Sequence, residues 1–176
     1  MSIRLIKGSC VEQNVDAIVN AANGYMMHGG GIARAILLKA GNELNVACQK
    51  YKLPIKDGQV IVTPAFNIKN AKIIIHAVGP DFNVTPNGFD LLCDAYYNSL
   101  LALKDDNMNS ISFPLISSSI FGGNLENPVK ESSKQCLRAY NKFIEDFPEY
   151  NIDVLLCAFT DKEYMDAKQI IPVKQE

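Results

Sequence analysis

Short, almost wholly apolar segments alternate along this sequence with longer stretches that are apolar on one side only. Segments such as Lys72–Val78 and Ile152–Phe159 are rich in Val, Ile and Leu, as strands covered on both faces of a sheet should be. The stretch Phe89–Lys104 repeats apolar residues at three- and four-residue spacing, which is typical of a helix with one buried face. This alternation predicts an α/β fold, a three-layer α/β/α sandwich with a mixed, mostly parallel central sheet.

The predicted strands are bounded by polar or turn-forming residues and comprise Ile3–Lys7, Asp16–Asn20, Gln59–Ala65, Lys72–Val78, Ser110–Ile116 and Ile152–Phe159. Helices are predicted from just after Gly31 to about Ala40, over Glu43–Tyr51, Phe89–Lys104 and Pro128–Phe147, and from near Thr160-Asp161 onward. Asn127 before Pro128 is a strong helix-start signal, since Asn caps well and Pro suits the first helical position. With neither a repeat nor a linker, residues 1–176 are expected to form a single domain.

Charge and cysteine content narrow the class of protein. The net charge is -2, and runs of five like charges are lacking, which makes nucleic acid an unexpected partner. Neither a signal peptide nor an apolar run of about 18 residues is visible, so a membrane is not expected as a partner. We expect a cytoplasmic monomer whose thiols are reduced. The five cysteines stand singly, without zinc-ligand spacing: Cys10, Cys48, Cys93, Cys136 and Cys157.

Two loops that follow predicted strands have an unusual composition. The first, Asn20–Ala33, contains three consecutive glycines before a helix, so its backbone N–H groups could approach a phosphate closely. The second, Ser117–Gly123, combines three serines with paired glycines and could form another anion cradle. Either loop alone is more often an ordinary flexible connection. Two of them at equivalent strand ends indicate a ligand site, since ligands of such sheets bind beyond the carboxyl ends of the strands.

These segments resemble those of macro domains. Asn20-Ala21-Ala22-Asn23 followed by His28-Gly29-Gly30-Gly31-Ile32-Ala33 is similar to that family's first ligand loop, particularly the form in coronavirus replicase proteins. His76–Pro80 is similar to the family's strand ending in His-x-Val-Gly-Pro, and Pro114–Gly122 to its phosphate-wrapping loop. The matching segments keep the family's order from Ile3 to about Ala167. The loop favours a viral polyprotein origin, whereas the chain length favours a stand-alone cellular protein, and both stay open.

The resemblance implies a site for ADP-ribose or an ADP-ribosylated protein. Asn23 would bind the distal ribose and help orient an attacking water, and Phe159 would pack against adenine. From the residues alone, core burial explains Phe159 equally well, while Asn20 is expected to support the loop backbone rather than touch ligand. The other implied ligand-binding residues are Ser9, Cys10, Ala22, Gly29, Gly30, Gly31, Ile32, Ser117, Ser118, Ser119, Ile120 and Phe121.

Three positions depart from the family pattern. Ser9 stands where many members have an Asp that accepts from the adenine amino group, and a neutral acceptor bonds less strongly. Ser119 replaces a usual Gly, so its side chain could crowd the phosphate or strain the loop. Ala33 replaces the Asp of many cellular hydrolases, although the coronavirus-type loop lacks that Asp too. The first departure predicts weaker adenine binding, and the other two weaken the inference of catalysis.

His28 is the titratable side chain of the first loop. It could serve beside the distal ribose as an acid, base or hydrogen-bond partner, or it could be an exposed residue that fixes the turn. We therefore take Asn23 and His28 as candidate catalytic residues. His76, within an apolar strand, is expected to be a core residue with its hydrogen bonds satisfied. The spacing of ligand-type residues predicts neither a metal site nor a cofactor.

Two functions follow from these residues. One is an enzyme that hydrolyses mono-ADP-ribose from protein carboxylates or deacetylates O-acetyl-ADP-ribose, by way of an oriented water and electrostatic help. The other is a reader module that binds ADP-ribose without removing it. Asn23, His28 and the three glycines favour the enzyme, whereas Ser119 and Ala33 favour the reader. On balance the sequence favours the enzyme.

Overall fold

A computed structural model describes residues 1–172, within which six strands form one sheet. The strands are β1 (Ser2–Lys7), β2 (Ala17–Ala22), β3 (Val60–Pro64), β4 (Ile73–Val78), β5 (Ser110–Phe113) and β6 (Asp153–Ala158). Their order across the sheet is β1-β6-β5-β2-β4-β3. The edge strand β3 runs antiparallel to β4, and the other neighbours are parallel. The predicted mixed, mostly parallel sheet is confirmed; residues 173–176 of the expected domain lie outside the described residues.

Helices cover both faces of this sheet. They are α1 (Gly31–Ala40), α2 (Glu43–Gln49), α3 (Phe89–Asp105), α4 (Pro128–Asp146) and α5 (Asp161–Lys168). Successive residues of a strand lie on opposite faces of the sheet and pack in two separate cores. Ile18 packs in the core beneath α1 and α2, and Val19 packs in the core beneath α3 and α4. The expected three layers are therefore present. Across residues 1–172 no helix has both the length and the apolar character needed to cross a membrane.

Local signals start two helices where the sequence predicts. The Asn127 side chain accepts a hydrogen bond from the Lys130 N–H at 3.1 Å, and Pro128 occupies the first turn of α4. Thr160 caps α5 and forms a reciprocal pair of hydrogen bonds with Glu163. Such capping satisfies N–H groups that a helix cannot pair internally.

Element ends differ from prediction by a few residues. β2 continues past Asn20 to Ala22, and β5 ends at Phe113 rather than at Ile116. The early end of β5 follows from Pro114, which has no N–H for the ladder. A short 3-10 turn over Cys10–Glu12, which was not predicted, follows β1 and is capped by Ser9. These ends place both glycine-containing loops at the carboxyl edge of the sheet.

Candidate ligand-binding site

A cleft with a volume of about 880 Å³ opens where β1, β6, β5 and β2 end. Small-molecule sites have volumes of this order, and in parallel sheets they lie at this edge. The predicted ligand-binding residues all line the cleft: Ser9, Cys10, Ala22, Asn23, Gly29, Gly30, Gly31, Ile32, Ser117, Ser118, Ser119, Ile120, Phe121 and Phe159. The fold thus brings together residues that are up to 150 positions apart, from Ser9 to Phe159.

The first wall of the cleft is the start of α1. Gly30 precedes the helix in an extended conformation, and no side chain within residues 1–172 caps this terminus, so the first-turn N–H groups remain free to donate to an anion. Gly31 has a φ of +56°, a left-handed conformation that favours glycine. Gly29 and Gly30 do not adopt such a conformation. A Cβ at either of those two positions would meet no atom within 4 Å. Internal packing therefore does not require glycine at these two positions, and the lack of side chains leaves the backbone open to close approach by a ligand.

The second wall is the loop after β5. The Ser117 hydroxyl donates to the Pro80 carbonyl at 2.7 Å, and the Ser118 hydroxyl donates to the Leu115 carbonyl at 2.7 Å. Both hydroxyls thus stabilise the loop internally, which leaves the backbone and the exposed Ser119 side chain to contact a ligand. Ser119 has a φ of -106°, so it does not adopt the left-handed conformation on which the predicted strain depends. The left-handed residue is Ser117, with a φ of 58°.

One end of the cleft is formed by the first and last parts of the sheet. Phe159 is 72% exposed, so core burial does not explain this residue. The Ser9 hydroxyl accepts from the Val11 N–H at 3.2 Å, and its own hydrogen remains to donate. Glu163 contributes a carboxylate to the lining. Residue patterns do not predict Glu163 as a lining residue, because a Glu three residues after Thr160 is already explained by capping of α5.

Two thiols beside this end are poor nucleophiles. Burial raises the pKa of the Cys10 thiol well above its ordinary value and raises that of Cys157 to about 12. Both are therefore protonated near neutral pH, and a thiol attacks only as its thiolate. Their contribution to the cleft is small apolar surface.

Asn23 lies at the other end of the cleft, with its amide engaged by its own loop. Oδ1 accepts from the N–H groups of Tyr25 and Met27, each at 3.1 Å, and Nδ2 donates to the Met27 carbonyl at 2.9 Å. An amide oxygen accepts about two hydrogen bonds and an amide nitrogen donates two. The side chain thus retains one N–H for a ligand, and its oxygen has no free capacity to hold a water by accepting from it.

His28 is not among the residues that line the cleft, and the alternative of an exposed residue that fixes the turn is wrong. Its side chain is turned inward, 7% exposed, with its ring centroid 5.8 Å from that of His76. Burial lowers the pKa of the His28 imidazole. The ring packs beside the buried ring of His76 and not against the cleft. A role as acid or base at the cleft is therefore not supported.

His76 is the core residue that the sequence predicts. It is fully buried, with Nδ1 3.0 Å from the Asn20 amide nitrogen and Nε2 3.0 Å from the Thr63 hydroxyl. Burial, followed by the proximity of His28, lowers the pKa of His76 to about 3. Asn20 is likewise fully buried and holds His76, so it supports the core rather than the loop backbone.

The fold also makes a cluster that residue spacing does not indicate. One side-chain ligand atom each from His28, Cys48 and His76 lies within 4.8 Å of the others. The three residues come from a loop, a helix and a strand, and up to 48 positions separate them, so no sequence motif could reveal them. The sequence predicts no metal site, and the structure adds this group as a candidate that residue spacing alone does not indicate.

The fold and the cleft define an α/β/α domain that presents a ligand site at the carboxyl edge of its sheet. The family model described as Macro domain matches residues 19–132, and the chain belongs to the macro domain family. The Macro domain-containing protein TTE0995 of Caldanaerobacter subterraneus is 37% identical over 92% of this chain and 91% of its own length. An uncharacterized protein of Thermotoga maritima is 38% identical over 92% of this chain, which spans 27% of that protein.

Two solved structures show the same fold. The macrodomain of Oceanobacillus iheyensis, solved with ADP, has a TM-score of 0.86 and 32% identity, covering 95% of this chain and 88% of its own. The macrodomain of Trypanosoma brucei, solved in complex with ADP-ribose, has a TM-score of 0.82 and 27% identity, covering 95% of this chain and 68% of its own. These likenesses agree with the α/β/α fold.

Proposed function

We propose that this protein binds ADP-ribose, free or attached to a protein, in the cleft between the two loops. The observation that carries the proposal is the pairing of an uncapped helix start with a second backbone-rich loop in one cavity. Backbone N–H groups at such termini bind phosphate without any basic side chain. This mode of binding suits a chain whose net charge is -2.

We infer the positions of adenine and the distal ribose from the residues at the two ends of the cleft. Phe159 offers an exposed aromatic face to adenine, and Ser9 and Glu163 lie in the same lining. The diphosphate then runs between Gly29–Ile32 and Ser117–Phe121. The distal ribose reaches Asn23, whose remaining N–H donates to a hydroxyl oxygen. The complexes of the related macrodomains with ADP and ADP-ribose support ADP-ribose as the ligand.

Titration calorimetry with ADP-ribose, AMP and ATP tests the binding proposal. We expect ADP-ribose to bind best, because it alone reaches both ends of the cleft. AMP lacks the second phosphate and distal ribose, and ATP replaces that ribose with a charged phosphate. Equal affinity for AMP and ADP-ribose would contradict the placement of a distal ribose at Asn23.

Hydrolysis of mono-ADP-ribosyl adducts, either protein carboxylate esters or O-acetyl-ADP-ribose, is the second candidate function. Asn23 favours it, because this residue lies where the bond to the modified group would be. The cleft offers no basic side chain there among the described residues: Ala33 replaces the usual Asp, and His28 faces inward. An attacking water would give its proton to the substrate's own phosphate, while the ester C–O bond breaks and a carboxylate leaves. The geometry therefore favours a reader over a hydrolase.

Incubation with an ADP-ribosylated protein separates the two functions. We expect tight retention of the modified protein with slow or undetectable loss of the label. Rapid release of ADP-ribose would make hydrolysis the function, and release that is specific for carboxylate esters would identify the linkage.

A further inference from the structure

Three buried side chains meet beneath the first ligand loop, outside the cleft. His28 comes from that loop, Cys48 from α2 and His76 from β4, and all three are buried. Each contributes one atom of a type that binds metals, and these atoms lie within 4.8 Å of one another. The Cys48 sulfur is 3.9 Å from Nε2 of His76.

His28 lacks the contacts that a buried imidazole normally has. Neither ring nitrogen has a hydrogen-bond partner within residues 1–172. Leaving a buried polar group unpaired costs about 1–3 kcal/mol, and most buried polar atoms in proteins are paired. An apolar side chain of similar size would fill the same space without that cost. A metal ion bound between His28 and its neighbours would give one nitrogen a partner.

His76 is held in a manner that suits a metal ligand. The Asn20 amide is 3.0 Å from Nδ1, and Nε2 lies on the side of Cys48. Nε2 is also 3.0 Å from the Thr63 hydroxyl, so a metal at this nitrogen would displace that hydrogen bond. Metal-bound imidazoles usually donate their second N–H to an oxygen that fixes the ring. A half-turn of the Asn20 amide supplies that oxygen, Oδ1, which has no partner in the described part of the chain.

The donor set selects a class of metal. One sulfur and two imidazole nitrogens are soft or borderline ligands that suit zinc and monovalent copper, whereas magnesium and calcium prefer oxygen. In tetrahedral zinc sites, bond lengths of about 2.0–2.3 Å place ligand atoms about 3.3–3.8 Å apart. The Cys48–His76 separation of 3.9 Å is close to that range. The ligand atoms of the three residues lie within 4.8 Å of one another, so His28 must move closer to complete the site, and its ring has no hydrogen bond to break within residues 1–172.

We propose that His28, Cys48 and His76 form a binding site for one thiophilic d10 metal ion, zinc(II) or copper(I), beneath the ligand loop. Binding forms a metal–sulfur bond at Cys48 and two metal–nitrogen bonds, and the Cys48 thiol releases its proton to solvent. With copper(I) the buried complex is neutral, and with zinc(II) it carries one positive charge. Burial of net charge is costly, which is why both ions are probed.

Metal stoichiometry of the full chain tests the proposal. Metal-free protein, kept reduced and anaerobic, is dialysed against zinc(II), or against copper(I) with a competing chelator, and its metal content is measured. We expect one ion per chain from at least one of the two metals, and a higher thermal unfolding midpoint with that metal. The metal that binds identifies the occupant. A chain that takes up neither ion stoichiometrically would overturn the proposal.

Variants distinguish this site from binding to other thiols. Cys48→Ala and His28→Gln should each weaken binding by about 100-fold or more, since loss even of an outer contact typically costs about 10–100-fold. Cys93→Ala is the matched control, because Cys93 is a buried thiol of α3 on the other face of the sheet. It should keep one ion per chain. Equal binding by wild type and Cys48→Ala would contradict the site.

Cobalt(II) reports metal ligation by sulfur directly in the absorption spectrum of the wild-type protein. If Cys48 is a ligand, cobalt(II)-loaded wild type should show intense near-ultraviolet sulfur-to-metal charge transfer, and Cys93→Ala should retain it. Cys48→Ser, whose hydroxyl differs from the thiol by one atom, should lose that absorption even if it binds cobalt. Absorption that persists in Cys48→Ser would place the metal at another cysteine and overturn the proposal.

Discussion

The Asn23 side chain holds Met27 by both of that residue's backbone groups. Nδ2 donates to the Met27 carbonyl at 2.9 Å, and Oδ1 accepts from the Met27 N–H at 3.1 Å. The amide therefore shapes the loop that leads into Gly29–Gly31 as well as facing the cleft. Any effect of changing Asn23 combines loss of a ligand contact with loosening of this loop.

Asn23→Ala should weaken ADP-ribose binding by roughly tenfold, equivalent to about 1.4 kcal/mol, and should abolish any hydrolysis. The change removes one donor to the distal ribose and three hydrogen bonds within the loop. Calorimetry and a label-release assay measure the two effects. Asn45→Ala, at a partly exposed position of α2 outside the cleft, is the control and should change neither. Unchanged binding in Asn23→Ala would show that the distal ribose lies elsewhere.

Gly30→Ala should leave the fold intact and impair binding. Gly30 is extended, with a φ of -166°, and an added Cβ would meet no protein atom within 4 Å. The methyl group would instead occupy space that the diphosphate needs. We expect an unchanged thermal unfolding midpoint and a loss of ADP-ribose affinity of about tenfold or more. A variant that binds as well as wild type would argue against a diphosphate at the start of α1.

Ser9→Asp should tighten ADP-ribose binding by about threefold to tenfold, because hydrogen bonds to charged acceptors are roughly twice as strong as neutral ones. Asp also caps helical turns well, so it should replace the bond that Ser9 accepts from Val11. Ser9→Asn caps equally well without the charge and serves as the control. Equal affinities for the Asp and Asn variants, measured by calorimetry, would place adenine away from this residue.

Ser119→Gly tests whether the exposed hydroxyl crowds or recruits phosphate. Ser119 lies on the cleft wall and has a negative φ, so its replacement by Gly relieves no left-handed backbone conformation. We expect a gain in ADP-ribose affinity of about twofold to fivefold from removal of the side chain beside anionic oxygens. Ser119→Ala, which removes only the hydroxyl, separates the effects. Weaker binding in both variants would mean that the hydroxyl donates to a phosphate.

Asp16 should make folding stability depend on acid pH. Partial burial would raise the pKa of its carboxyl, but N–H donors from Asn109 and Ser110 and the Lys72 ammonium outweigh burial and lower it. A carboxyl with a lowered folded pKa contributes stability above its unfolded pKa of about 3.9, and that contribution is lost as pH falls through the folded pKa.

Urea unfolding at pH 7, 5, 4 and 3 measures this contribution. Asp16→Asn should lower the free energy of unfolding by about 1–3 kcal/mol at pH 7, where hydrogen bonds to a charged group are lost. The difference from wild type should shrink below about pH 4. Asp106→Asn is the control, because Asp106 is an exposed residue at the end of α3. A difference that stays constant down to pH 3 would exclude ionisation of Asp16 as the cause.

The sheet and most of the cleft were predictable because their signals are local. The apolar run of β4 and the capping residues Asn127 and Thr160 act within a few positions of the chain. The strand ends then follow from one rule, since parallel strands share a carboxyl edge. β5 ends early for an equally local reason, the missing N–H of Pro114.

What sequence could not predict depends on side-chain direction and on distant contacts. Nothing local tells whether His28 turns outward to the cleft or inward to His76, which is 48 positions away. Glu163 could be predicted as a helix cap, since Thr160 precedes it by three residues, but its place in the cleft requires the packing of α5 beside β1 and β6.

The position of β6 determines the order in which the chain can complete its site. β6 lies between β1 and β5, so the first strand has no neighbour in the sheet until the last strand is in place. On a ribosome, β1 therefore cannot pair until synthesis has passed β6, which ends at Ala158. Ser9 and Phe159, which flank the proposed adenine position, follow these two strands. A nascent chain that lacks β6 consequently has both proposed phosphate loops but lacks the proposed adenine position. The cleft becomes complete when β6 pairs between β1 and β5.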